Sequence, residues 1–189
     1  MPHPLLDHAD LIRSGKPTFT GWVSTASPYQ AELLAREDFD SITLDMQHGL
    51  HTQQTIVDGI SYAALAGKPT FVRIQVDDFA FASRALDYGA VGVIAPMINS
   101  VADAKKLAAY TKYPPLGERS YGPVHALPLT GLTGGEYLSR ANRATLAIAM
   151  IETQAAIDAL DDILSIEGID GVFVGPSDLS ISLFTGAKV

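Results

Sequence analysis

Six short apolar runs rich in β-branched residues, at 19–23, 42–44, 71–74, 91–95, 146–151 and 172–174, alternate strictly with amphipathic stretches. Runs of this kind predict strands buried on both faces. The stretches between them carry helix-end signals. Ser27-Pro28-Tyr29-Gln30 offers an N-cap, a proline at the first helical position and a Gln for a capping box, predicting a helix over 31–37. Thr52 opens a helix that Gly67 can close, Asp77 or Asp78 opens one that Gly89 can close, Ser100 caps a third, and Thr153 caps one running to about Ser165. Strand–helix–strand repetition requires right-handed crossovers and a parallel sheet, either closed as a barrel or open and doubly wound. No strand leads into a GxGxxG or GxxxxGK[ST] turn, and the chemically interesting residues follow several different strands, which favours the barrel. The expected fold is a (β/α)8 TIM barrel of which this chain supplies about six of eight strands. Residues 1–189 are expected to form a single barrel domain that lacks the last strands and final helix.

Bulk composition narrows the function classes. The 189 residues are 47% hydrophobic and 18% charged, enough for one packed domain but short for eight strands and eight helices. Net charge is −8 and the 13 Lys and Arg are scattered, so no basic stripe suits nucleic acid or an anionic membrane. With no cysteine, disulfides, thiolate metal sites and cysteine nucleophiles are excluded. The start, MPHPLLDHADLIRSG, lacks a signal-peptide pattern, and no apolar run approaches the length of a membrane span, so a cytoplasmic location is expected. The Gly- and Pro-rich segment 113–142 interrupts the rhythm between the fourth and fifth strands and is expected to form a lid or rim at the C-terminal face of the sheet.

Glu152 ends the fifth strand and Asp178 lies just past the sixth, so both carboxylates emerge at the same end of adjacent strands. Two hard oxygen ligands suit Mg²⁺ or Mn²⁺. The alternative is that each acid merely favours a helix N-terminus. His48, in Asp45-Met46-Gln47-His48-Gly49 after the second strand, is placed to act as a general base near neutral pH. His51 is a weaker second candidate. Arg73 sits in an otherwise apolar strand, where a guanidinium is costly without an anion. It is aimed either at a substrate carboxylate or enolate, or at a structural partner such as Asp45 or a metal-site acid. Lys16, Lys68, Lys105, Lys106, Lys112 and Lys188 all fall outside the six strands, which disfavours imine chemistry and favours a metal as electron sink.

The motifs DMQHG (45–49), FVRI (71–74), LDYGA (86–90), VIAPM (93–97), YPPLGER (113–119), IETQ (151–154) and GVFVGPSDLS (171–180) together resemble the HpcH/HpaI aldolase family over about residues 21–180. The resemblance is to its class II, metal-dependent pyruvate aldolases, of the 4-hydroxy-2-oxoheptanedioate and 2-dehydro-3-deoxyglucarate type, with a phosphoenolpyruvate/pyruvate-type barrel. It implies reversible cleavage of a 4-hydroxy-2-oxo acid to pyruvate and an aldehyde. It further implies His48 as base, Asp87 as the acid raising its basicity, Arg73 as enolate stabiliser, and Glu152 and Asp178 as ligands of Mg²⁺, Mn²⁺ or Co²⁺. Gly175, Pro176 and Ser177 would hold the pyruvate carboxylate. Met150 stands where relatives often carry a substrate-binding Gln. A homohexamer acting in aromatic or sugar acid catabolism is also implied. Two other readings stay open: an oxaloacetate decarboxylase or similar enolate-forming lyase, and a non-catalytic barrel that binds 2-oxo acids.

Overall fold

The computed structural model describes residues 3–184. Six strands are present: β1 (Thr20–Val23), β2 (Ser41–Asp45), β3 (Thr70–Arg73), β4 (Gly92–Ala95), β5 (Leu146–Ile151) and β6 (Gly171–Val174). All neighbouring pairs are parallel, in the order β1-β2-β3-β4-β5-β6. A doubly wound sheet would reverse its strand order at a switch point; this one advances in a single direction, as barrel staves do. It is also curled. Laid flat, β1 and β6 would stand roughly 24 Å apart at five inter-strand spacings, yet the Trp22 and Phe173 rings approach to 5.8 Å between centroids.

Helices cover the convex side: α2 (Pro28–Ala35), α3 (Gln53–Leu65), α4 (Phe79–Asp87), α5 (Val101–Thr111), α8 (Gln154–Asp158) and α9 (Leu160–Leu164). The period-2 alternation of the strands separates two cores. Leu44, Val72, Val93, Ala147 and Ala149 face outward and pack with helical Ile56, Ile60, Phe81, Leu86 and Leu107. Phe71, Ile94, Leu146, Ile148, Met150, Trp22 and Phe173 face inward. Helix α1 (Pro4–Arg13) closes the floor of the half-barrel by placing Leu5 and Ala9 against that inner set.

Most helix signals act as expected. Ser27, Thr52, Asp78, Ser100 and Thr153 are N-caps whose side chains accept a backbone N–H, and Gly67 and Gly89 take positive φ of 77° and 105° just past α3 and α4. Four expectations are corrected. The Gln30 side chain bonds to Thr25 Oγ1, so Ser27 has no reciprocal capping box. The helix begun by Thr153 is interrupted at Ala159 (φ −98°, ψ 6°) and becomes α8 and α9. Strand β6 is not buried on both sides: Val172 and Val174 are 36% and 54% exposed, because α10 (Pro176–Leu183), which follows β6, makes its main packing contact with α8 and leaves the outer face of β6 bare.

The fourth correction concerns 113–142. It links α5 to β5, and a helix-to-strand connection in this topology lies at the N-terminal ends of the strands. There it folds into α6 (Ala126–Thr130) and most of α7 (Gly134–Ala144). Buried Lys112, at its start, donates to the Thr145 carbonyl (2.7 Å) and to Asp170 (2.6 Å), which lead into β5 and β6. The segment is floor, not lid.

The floor carries one pH-sensitive contact. His8 of α1 is 5% exposed, packs edge-on against Phe71 at 5.7 Å, and leaves Nε2 without a partner. Burial holds its imidazole below the ordinary histidine value, more than Asp40 raises it. The unfolded chain therefore takes up the proton first, so this stability is complete above about pH 6.5 and is lost as pH falls below it. Thermal melts at pH 7 and pH 5 are expected to differ less for His8→Leu than for the wild type; an unchanged difference would refute the assignment.

Candidate active site

Extending the inward registers by one step places the functional side chains. On β5, Ile148 and Met150 point inward, so Glu152 does too; on β6, Phe173 is followed inward by Gly175. On β2 and β3, Thr43 and Phe71 precede Asp45 and Arg73, which are register partners. The loop after β2 brings in His48, and the first turn of α10 brings in Ser177 and Asp178. His48, Arg73, Met150, Glu152, Gly175, Pro176, Ser177 and Asp178 line one cavity of about 340 Å³ together with Trp22 and Phe173. A larger cavity of about 450 Å³ lies beside β1 and α2, but Glu37 is the one ionisable side chain lining it. The smaller cavity holds the chemistry.

Glu152 is 2% exposed, and its Oε2 accepts the Met97 N–H at 2.9 Å. Met97 adopts a positive φ of 57°, uncommon for a residue with a side chain, and turns its N–H onto this carboxylate. Gly175 is required on the other side: a Cβ there would stand 2.4 Å from Glu152 Oε1 and 2.7 Å from its Cγ. Burial first, and the like charge of Asp178, push the Glu152 carboxyl above the ordinary range against the opposing pull of the Met97 N–H, Arg73 and His48. A cation between the two acids would relieve that repulsion, so the donor set fits a hard divalent ion. Among the described residues no cluster of three or more His, Cys, Asp or Glu side chains could hold a metal. Two protein carboxylates would thus leave coordination positions to water and substrate oxygens.

Arg73 meets the partner that structural considerations offered. Its Nε donates to Asp45 Oδ1 at 2.8 Å and its Nη2 to Oδ2 at 2.6 Å. Asp45, 1% exposed, also accepts from the Trp22 indole Nε1 (3.3 Å) and from the Gln47 and His48 backbone N–H groups (3.0 and 3.3 Å). Burial alone would raise its carboxyl; the Arg73 bonds and charge, with the His48 and Trp22 donors, outweigh this and hold it below the usual carboxylate range. Trp22 lies over the guanidinium, 4.9 Å from ring centroid to Cζ. The Arg73 Nη1 has no protein acceptor among the described residues, so the ion pair fixes the arginine while leaving one end of its fork to the cavity.

Asp87 is not brought to His48. It ends α4, at the N-terminal side of the sheet, where its carboxylate accepts from Arg119 Nη2 at 2.7 Å, and it does not line the cavity. A helix running antiparallel to its strands carries its last residue away from the strand C-termini, so within this chain Asp87 cannot set the basicity of His48. The acid beside the His48 loop is Asp45. The sequence signal for it was the opposition of two charges, Asp45 and Arg73, at the ends of neighbouring apolar strands. No lysine of the described residues lies on a strand, and buried Lys112 is at the floor; Lys188 lies outside them. No helix among them is long and apolar enough to cross a membrane.

The same fold occurs in known proteins. The HpcH/HpaI aldolase/citrate lyase family model matches residues 19–188. The chain is 41% identical over 169 residues to a hydroxypyruvate/pyruvate aldolase of Rhizorhabdus wittichii, covering 89% of this chain and 66% of that protein. It is 34% identical over 174 residues to a 4-hydroxy-2-oxo-heptane-1,7-dioate aldolase of Salmonella dublin, covering 92% and 66%. The crystal structure of an HpcH/HpaI aldolase from Desulfitobacterium hafniense aligns with a TM-score of 0.83 at 30% identity, covering 93% of this chain and 68% of that one. The chain spans just under two thirds of the length of the two curated relatives. With a family match over nearly its whole length and a 41% identical relative, the chain belongs to the HpcH/HpaI aldolase/citrate lyase family.

Proposed function

We propose that this chain carries the active site of a divalent-metal-dependent aldolase that reversibly cleaves a 4-hydroxy-2-oxo acid, such as 4-hydroxy-2-oxoheptanedioate, to pyruvate and an aldehyde. The observation that carries the reading is the convergence of two mutually repelling carboxylates, Glu152 and Asp178, with Arg73 and His48 in one cavity. The reading is supported by the Rhizorhabdus relative, a hydroxypyruvate/pyruvate aldolase, and by the Salmonella relative, a 4-hydroxy-2-oxo-heptane-1,7-dioate aldolase.

Glu152 and Asp178 would hold Mg²⁺, Mn²⁺ or Co²⁺, which when bound supplies a Lewis acid for the carboxylate and 2-keto oxygens of the substrate. In the stretch 175–177, at the N-terminus of α10, Pro176 has no N–H and the Gly175 N–H bonds the Ile151 carbonyl at 3.2 Å, so Ser177 offers its N–H, with the positive dipole end, to the same carboxylate. His48 accepts the proton of the C4 hydroxyl. As the C4–O bond becomes a carbonyl, the C3–C4 pair moves into the 2-oxo acid fragment to give an enolate, and Arg73 Nη1 stabilises the developing oxyanion. Protonation at C3 gives pyruvate, and the aldehyde leaves. Met150 and Phe173 give the cavity an apolar floor that excludes water from the enolate.

The test is a screen of 4-hydroxy-2-oxo acids and oxaloacetate with Mn²⁺-supplemented protein, pyruvate release being measured. Aldol cleavage abolished by chelation and restored by Mn²⁺ is expected. Pyruvate release from oxaloacetate alone, or cleavage that survives complete chelation, would overturn the reading.

A further inference from the structure

Trp22 stands in the cavity on β1, and the reaction above gives it no role. Its strand partner is Thr43 on β2, two residues before Asp45, so the indole reaches diagonally up to the Asp45–Arg73 pair. Direct contacts close a ring of three side chains. Asp45 Oδ1 and Oδ2 accept Arg73 Nε and Nη2 at 2.8 and 2.6 Å, Oδ2 also accepts the Trp22 Nε1–H at 3.3 Å, and Arg73 Cζ lies 4.9 Å from the indole centroid. The Phe173 ring of β6, tilted by 32° at 5.8 Å, packs on the indole and limits its swing.

The two links to Arg73 constrain different motions. Parallel hydrogen bonds from Nε and Nη2 fix the fork within the plane it shares with the carboxylate, but they resist a tilt out of that plane only weakly. A ring over the guanidinium opposes that tilt. Nη1, the end left to the cavity, stays aimed only while both links hold. Of the two Trp22 contacts, the ring face is the stronger: 3.3 Å lies beyond the usual N–H···O range of about 2.7–3.2 Å. The Arg73 side chain, by contrast, is 12% exposed, the largely desolvated setting in which a cation–π contact is worth most.

We propose that Trp22 is a positioning residue whose indole face holds the Arg73 guanidinium against tilting, so that Nη1 stays aimed at the developing oxyanion. Its consequence for catalysis rests on the aldolase reading; the restraint on Arg73 does not. Solvent exchange of the Arg73 Nε–H reports on that restraint independently of turnover, because each tilt breaks the Nε bond to Asp45.

The experiment compares the wild type, Trp22→Leu and Trp22→Phe, with Trp22→Leu also made in an Arg73→Ala background. Trp22→Leu is expected to lower kcat about 10-fold, the rate equivalent of one partly desolvated cation–π contact. KM should change little, because the charge that Nη1 meets develops only in the transition state. Trp22→Phe, which keeps a ring face without the N–H, should recover most of that loss. With Arg73→Ala already present, Trp22→Leu should cost nothing further, since the group it holds is gone. By NMR, Arg73 Nε–H exchange should quicken in Trp22→Leu and stay near the wild-type rate in Trp22→Phe. A kcat loss that persists in the Arg73→Ala background, or a loss that falls on KM instead, makes Trp22 a substrate contact and overturns the proposal. So do an unimpaired Trp22→Leu, a Trp22→Phe as impaired as Trp22→Leu, or Nε–H exchange that Trp22→Leu leaves unchanged. If Trp22→Leu does not fold, Trp22→Met takes its place in every comparison. Failure of the aldolase reading would appear separately, as a wild type without cleavage, and Nε–H exchange then decides the role of Trp22.

Discussion

Arg73→Ala is expected to lower kcat for cleavage by about 100- to 1,000-fold, the usual cost of removing one donor aimed at a developing oxyanion, and to destabilise the fold as well. The second effect follows from Asp45. With Arg73 gone, a carboxylate that is 1% exposed loses its two closest donors and keeps only the Trp22 indole and two backbone N–H groups. Removing one partner of a buried ion pair costs about 3–5 kcal/mol. The Asp45 carboxyl should then rise, since burial already pushes it up and the guanidinium was the main opposing influence. Arg73→Ala should accordingly be less destabilised at pH 5 than at pH 8, where the unpaired acid must be ionised. The double variant Arg73→Ala/Asp45→Asn separates the two losses: urea unfolding should show most of the stability restored, while cleavage stays at the level of the single variant. A double variant that regains cleavage would remove Arg73 from the reaction and leave it as a strut for Asp45.

That pair also marks where the sequence was informative and where it stopped. The six strands were legible from their apolar runs, which coverage on both faces demands and which β6 keeps although its outer face is bare, and the helix starts were legible because Ser27, Thr52, Asp78, Ser100 and Thr153 satisfy N–H groups locally. Positions that lie at strand C-termini could be read in the same way: Glu152 and Asp178 come after β5 and β6, and parallel strands bring such positions to one end. Asp87 could not be judged so, because its place depends on a helix running back to the opposite end, and the family resemblance carried it to a site that the topology denies within one chain. Segment 113–142 failed for a related reason. Its Gly and Pro content speaks of irregular backbone, while which end of the barrel it occupies depends on whether it follows a strand or a helix. Met97 was invisible as a site residue, and Gly175 was named only through the family resemblance and as a carboxylate contact, because what matters at these positions is a backbone N–H and a missing Cβ, both set by the packed position of Glu152.

Glu152→Gln is expected to separate metal binding from stability with opposite signs. Glutamine keeps the size and can still accept the Met97 N–H, so the change mainly removes charge. Glu152 is buried, and that burial, with the like charge of Asp178, raises its carboxyl. A group whose folded-state value lies above the unfolded one binds more protons when folded, so its ionisation costs stability at neutral pH and that cost fades as pH falls toward the unfolded value near 4.3. In metal-free buffer at pH 7.5, the glutamine variant should therefore melt above the wild type, with the gap closing toward pH 4.5. Adding Mn²⁺ should reverse the order, because a ligand that binds only the native state stabilises it in proportion to occupancy, and on the proposed metal site the variant would offer one hard anionic ligand where the wild type would offer two. Loss of an outer-shell partner alone weakens a metal site by roughly 10- to 100-fold, so removing a ligand charge should exceed that, as read by calorimetric Mn²⁺ titration. Equal Mn²⁺ affinity in the two proteins would place the cation elsewhere. A metal-free variant that melts below the wild type would mean that the two carboxylates do not repel in the way their burial implies, and the strongest physical ground for a cation between them would be gone.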